Sequence, residues 1–204
     1  MVDYIVNEDV ITFGAQYNKP LDPEILSQTQ YKKIIFSDYE NFKYIGCDFN
    51  QSLGNSLDGC TLLTTLVFGS CFNQPLSNSL DNCTSLSHLT FGNHFDQPLD
   101  NSLDNCIALT HLTFGFYFDQ PLNDSFNNCS SLTHIKFGDC FNQHLSNSLD
   151  NCISLSILVF GYDFNQPLND CFNNCISLTI LVFGFRYDQK DMLPSFIRYV
   201  KLEC

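Results

Sequence analysis

His88, His111 and His134 stand 23 residues apart, and imidazoles in a column can ligate zinc or take up protons near neutral pH. Cys60, Cys83, Cys106, Cys129, Cys152 and Cys175 recur at the same interval. A thiol beside a histidine is a potential nucleophile, and thiols close to each other can ligate metal or form disulfides. Carboxylates form a third set: Asp81, Asp104 and Asp150, with Asp100, Asp124 and Asp170. They could attract calcium, but they match no calcium loop and read as solvated turn residues. Which chemistry is available depends on whether the chain turns imidazoles and thiols toward each other or apart.

The shared interval belongs to a repeat. Phe72 to Gly92 reads FNQPLSNSLDNCTSLSHLTFG and returns almost unchanged from Phe95 and from Phe141. Glycine recurs at 46, 69, 92, 115, 138, 161 and 184, always 23 residues apart. Self-similarity at a fixed period of this length is the signature of stacked coils, each too small to bury its own apolar face. Within one coil, Leu89 and Phe91 alternate with His88 and Thr90, which predicts a short strand. Gly92 ends it, Phe95 points inward again, and Pro98 keeps the next stretch extended. Ser102 is placed to cap a brief turn that carries Leu103 and Cys106 on one face. Stacked coils bring such strands side by side as a parallel sheet, with neighbours about 4.8 Å apart.

The balance of charge narrows the partners. With 9 Lys plus Arg against 22 Asp plus Glu, the chain carries a net charge of -13. Phosphate binding needs clustered cations, so nucleic acid and anionic membrane are not expected partners. The N-terminus lacks the features of a signal peptide, and no apolar run reaches the roughly 18 residues of a membrane helix. An intracellular location, in host or cell cytoplasm, follows as the expectation, with the 11 Cys as reduced thiols. The regular Cys column then reads as a small buried apolar position, although adjacent coils would bring its members within disulfide reach.

The pattern L-x-x-L-x-F-G-x-x-F-N-Q-P-L resembles the FNIP repeat, with Gln in the place of Ile in Phe72-Asn73-Gln74-Pro75. The spacing of Leu, aliphatic and aromatic residues, followed by Leu-x-x-Cys-x-x-Leu, is also similar to the 23-residue BspA-type leucine-rich repeat. The likeness extends over residues 9 to 202. It implies a leucine-rich-repeat-like α/β solenoid, with a parallel sheet on one face and irregular or short helical turns opposite. FNIP repeats are typical of amoebae and of the giant DNA viruses that infect them, and the resemblance implies a similar origin.

Leucine-rich repeats usually bind on the exposed face of their sheet, so the outward strand positions become the candidate site. One column reads Thr65, His88, His111, His134, Ile157, Ile180; the other reads Val67, Thr90, Thr113, Lys136, Val159, Val182. The face changes from His and Thr to aliphatic halfway along. On a flat sheet the three imidazoles point the same way and do not converge on a metal. Ile157, Val159, Ile180 and Val182, with Tyr162 and Phe185 just beyond, form an exposed apolar stretch of the kind that marks interfaces. β-branched residues also simply favour strands. Cys faces the core while His faces out, so no Cys–His nucleophile is expected, and no phosphate loop, nucleophile elbow or zinc-protease motif is present. Asn82, Asn105, Asn128, Asn151 and Asn174, one before each Cys, read as a buried amide ladder between coils. The sequons at Asn82 and Asn128 would then be inaccessible.

The expectation is therefore a non-enzymatic module without cofactor or metal, binding a protein partner through His88, His111, His134, Lys136, Ile157, Val159, Ile180 and Val182. The alternative is a self-associating structural or virion surface component. A single repeat domain is expected over 1–204. Residues 1–37 would be an N-terminal cap with degenerate coils, 38–45 an irregular joint, 46–184 the regular repeats and 185–204 a C-terminal cap. In that cap Val200 and Leu202 are placed in the roles of Leu181 and Phe183.

Overall fold

A computed structural model describes residues 3–28, 31–37, 49–189 and 198–201. The alternation of Leu89 and Phe91 with His88 and Thr90 becomes a three-residue strand, His88–Thr90, whose central Leu is 1% exposed. The same unit recurs at every period. In chain order the strands are β1 (Tyr4–Asn7), β2 (Val10–Phe13), β3 (Lys33–Phe36), β4 (Thr65–Val67), β5 (His88–Thr90), β6 (His111–Thr113), β7 (His134–Lys136), β8 (Ile157–Val159), β9 (Ile180–Phe183) and β10 (Arg198–Lys201). They form one sheet in that same order. All pairs from β2 onward are parallel and in register, as stacking of equal coils requires. The first pair differs: β1 folds back on β2 as an antiparallel hairpin, turning at Glu8 with φ 53°. The period does not announce this strand.

Leu86, Leu89, Phe91, Phe95, Leu99, Leu103 and Cys106 are all buried, and their equivalents in the other coils form one continuous core. Two files of phenylalanine run through it. Phe91 lies 3.9 Å from Phe95 within its coil, and each stacks on its counterpart in the next coil at 5.5 Å and 6.1 Å. Offset stacking of this kind adds to the apolar burial that joins the coils. Tyr17 and Tyr187 occupy ring positions at the two ends of these files.

Opposite the sheet the backbone runs through successive tight turns. Those of the third regular coil are closed by Ser102 N–H to Leu99 O, Asp104 N–H to Asn101 O and Cys106 N–H to Leu103 O. Ser102 is buried there, not standing as an exposed cap. The described helix is one short segment, α1 (Pro23–Gln28), which begins with Asp22 Oδ1 accepting the Glu24 N–H at 2.9 Å.

The structure moves the amide ladder to a different column. Asn82, Asn105, Asn128, Asn151 and Asn174 are exposed, so that column is not a buried ladder and the sequons at Asn82 and Asn128 are accessible; Asn151 Nδ2–H reaches Asn127 Oδ1 of the coil before it at 3.4 Å. The ladder runs through the Asn of FNQPL. Asn73 Oδ1 accepts the Asp96 N–H at 2.9 Å and the Gln97 Nε2–H at 3.0 Å. Asp96, Asp119 and Asn142 each do the same for the following coil. A side-chain oxygen two bonds from Cβ is all the position needs, so Asp and Asn interchange there.

Two sequence expectations meet the ends of the regular stack. β3 pairs Lys33 with Thr65, an offset of 32 where the regular pairs show 23, and Phe36 stacks on Phe49. The extra residues therefore fall between Ser37 and Phe49; the irregular joint at 38–45 itself lies outside the described residues. At the other end the register pairs Tyr199 with Leu181 and Val200 with Val182, one residue away from the expected alignment. A one-residue shift exchanges the two faces of a strand, so Val200 does not take the place of Leu181. Leu202 and the rest of 202–204, like 190–197, lie outside the described residues.

Candidate functional site

The sheet leaves one face to water. On it the register sets His88 beside His111, His111 beside His134, His134 beside Ile157 and Ile157 beside Ile180. The second column sets Thr113 beside Lys136, Lys136 beside Val159 and Val159 beside Val182. All eight sequence-derived contact residues thus lie in two adjoining columns on one outward surface. His88 and Lys136 are exposed and the other six are half-buried.

The imidazoles stack. His88 and His111 have ring centroids 4.5 Å apart and planes within 10°, and His111 and His134 are 4.3 Å apart within 8°. Each Nδ1 meets the hydroxyl of the preceding residue: Ser87 Oγ at 2.9 Å, Thr110 Oγ1 at 2.9 Å and Thr133 Oγ1 at 2.8 Å. Burial first, and then the two flanking imidazoles, hold His111 below the ordinary histidine pKa. Among the described residues no three His, Cys, Asp or Glu side chains are arranged to hold a metal ion.

The thiol column faces the other way. Burial pushes the Cys106 and Cys129 thiols up to about 12 and those of Cys60 and Cys175 up to about 11. Cys83 and Cys152 are raised as well. A nucleophilic cysteine needs the opposite shift and access to solvent. The thiols and the imidazoles therefore do not meet as a catalytic pair.

Beyond the second column a rim follows each glycine, and here sequence reasoning was incomplete. Tyr162 and Phe185 stack at 5.8 Å, and the Arg186 guanidinium lies 5.4 Å from the Tyr162 centroid while pairing with Asp163 at 2.8 Å. Phe116 and Tyr117, edge to face at 4.8 Å and 43% and 50% exposed, lie in the same rim beside the histidines. Their signal was present as aromatic residues at the positions after glycine, but the core also takes aromatics at this end of the strand.

A stack of equal coils with a parallel sheet along one side and tight turns opposite is a leucine-rich-repeat-type solenoid. The pattern of the BspA type leucine rich repeat region matches six copies here, over residues 27–123 and 54–179. The chain belongs to that family. A comparison with curated proteins finds no match. Among solved structures, the chain is similar to an internalin from Listeria monocytogenes, at 12% identity and a TM-score of 0.49, covering 85% of this chain and 53% of that one. It is also similar to the Toll–Spatzle complex of Drosophila, at 15% identity and a TM-score of 0.47, covering 89% and 28%. A leucine-rich repeat protein from Bacteroides ovatus aligns at 16% identity and a TM-score of 0.36, covering 96% and 66%. The chain thus spans about half the length of the internalin. Proteins of the leucine-rich-repeat type generally mediate protein–protein interaction and are generally non-enzymatic scaffolds. No helix among the described residues is long and apolar enough to cross a membrane.

Proposed function

We propose that the protein is a non-enzymatic interaction module, a single repeat domain that holds a protein partner against the outward face of its sheet. The contact residues are His88, His111, His134, Lys136, Ile157, Val159, Ile180 and Val182. The observation that carries this reading is the open face itself: among the described helix and strands, each strand packs only on its sheet neighbours, and no second layer of helix or strand lies against them. A two-column surface that passes from stacked imidazoles to aliphatic side chains is more specific than solubility demands. The reading extends to an intracellular setting with reduced thiols, and to an origin like that of FNIP-repeat proteins of amoebae and giant viruses.

A second reading is favoured by the apolar end. Ile157, Val159, Ile180 and Val182 continue into exposed Tyr162 and Phe185, which would suit contact with a second copy in a structural or surface assembly. Sedimentation of wild type beside Ile157→Asp/Ile180→Asp under reducing conditions separates the two. A wild-type oligomer that falls to monomer in the variant supports self-association. Monomers in both, with a foreign protein retained by wild type and lost by the variant, support the interaction module. A retained protein that binds the variant equally well would remove this face from the site.

A further inference from the structure

The face carries a charge pattern opposite to that of the whole chain. From Val10 on β2 to Arg198 on β10, its outward register positions include Lys33, His88, His111, His134, Lys136 and Arg198. Among the described residues not one of those positions is Asp or Glu, in a chain that has 22 of them. Acidic groups that adjoin the strands or the rim are engaged with other partners. Asp9 is paired with Lys32 at 3.0 Å, Asp163 with Arg186, and Asp139 Oδ1 accepts the Tyr162 N–H. Strands β4 and β8, which flank the histidines, bring Thr65, Val67, Ile157 and Val159, none of them titratable.

The hydroxyls beneath the rings decide which nitrogen faces out. Ser87 Oγ donates to Thr64 O at 3.0 Å, Thr110 Oγ1 to Ser87 O at 2.9 Å and Thr133 Oγ1 to Thr110 O at 2.9 Å. Thr64, Ser156 and Thr179 make the same bond in coils that have no histidine next to them. The hydroxyl-to-carbonyl contact is thus made with or without a ring. With the hydroxyl proton on that contact, the hydroxyl accepts from the ring and Nδ1 carries the hydrogen. Each neutral imidazole then presents an unprotonated Nε2 outward. The strip offers three acceptors and no charge when neutral, and three N–H donors and positive charge when protonated.

We propose that this ladder is a proton-gated docking strip for an acidic protein segment laid across the strands, a proposal that rests on reading the sheet face as the docking surface. While neutral, the Nε2 lone pairs oppose carboxylate oxygens. Once protonated, each Nε2–H donates to one, with Lys33 adding charge in the same column beyond Thr65 and Lys136 beside His134 in the second column. Stacked rings repel each other when charged, and a carboxylate placed over them relieves that repulsion. In an extended segment alternate side chains stand about 7 Å apart on one side. That interval lets neighbouring carboxylates reach the first and third rings.

The test uses a labelled oligo-aspartate peptide, followed by fluorescence anisotropy at about pH 7.5 and about pH 5.5, where aspartate stays ionised. The comparison protein is His88→Thr/His111→Thr/His134→Thr, since Thr65 already occupies that column. Wild type should tighten about tenfold or more on acidification, through protons taken up with the ligand, and the variant should not. Equal tightening in the variant, or none in wild type, overturns the proposal. So would stronger binding of oligothymidylate than of oligo-aspartate, or self-association of wild type at the lower pH. Nitrogen NMR at neutral pH should show Nε2 as the unprotonated ring nitrogen in all three histidines; a proton on Nε2 would remove the gate. These readouts can fail while the Ile157→Asp/Ile180→Asp variant still loses a partner, in which case the face docks proteins but the ladder does not gate them.

Discussion

Gly115 rests directly on Gly92: a Cβ added at 115 would stand 2.0 Å from the Gly92 carbonyl oxygen. The same approach links Gly92 to Gly69 at 2.0 Å, so the glycine file is where neighbouring coils come into backbone contact. Gly115→Ala must push two coils apart. Overpacking of a rigid backbone contact should cost about 2 kcal/mol or more, read as a lower urea midpoint. A midpoint unchanged from wild type would show that the coils are not held at this distance.

Asn142 tests the ladder that the sequence misplaced. Its Oδ1 accepts the Asn165 N–H at 2.9 Å and the Gln166 Nε2–H at 3.1 Å. Asn142→Ala leaves both donors without that acceptor and should lose about 1–3 kcal/mol. Asn142→Asp keeps an oxygen in place, as Asp96 and Asp119 do in other coils, and should stay within about 1 kcal/mol of wild type. Equal losses in both variants would mean that the position matters for something other than accepting hydrogen bonds.

Thiol labelling reads the inner face. Cys106 and Cys129, pushed up to about 12 by burial, hold almost no thiolate at neutral pH. Iodoacetamide applied to the native protein should modify the half-buried Cys71 and Cys140 before the thiols of the column, which should react only after unfolding. Peptide mapping by mass spectrometry follows the order. Early modification of Cys106 would place the column at the surface.

Acid should weaken the unliganded fold through His111. Its folded pKa is lowered, by burial first and by the flanking imidazoles next, whereas the unfolded chain has the ordinary value near 6.5. Between those values the unfolded state binds more protons, so stability is fully present above about pH 6.5 and lost as pH falls through the lowered value. The urea midpoint should fall on acidification from about pH 7.5 to about pH 5.5, and less steeply in His111→Thr. Parallel slopes for the two proteins would assign the change to other groups.

Much of this was legible in the chain. A strict period of 23 determined the coil, the parallel sheet and the core file of Leu, Phe and Cys. It also determined which strand residues share the outward face, because alternation along a strand and exact repetition between strands leave no freedom. Periodicity does not distinguish the reasons for repetition. Asn73 and Asn82 repeat equally well, and only the stacked backbones show that the first accepts hydrogen bonds across coils while the second faces water. The antiparallel β1 and the one-residue displacement at β10 were also beyond the repeat, since both occur where its spacing ends. For the imidazoles, sequence placed three rings in a column. The tertiary structure decided how that column is held, because each Nδ1 meets a hydroxyl that also reaches a carbonyl of the coil before it.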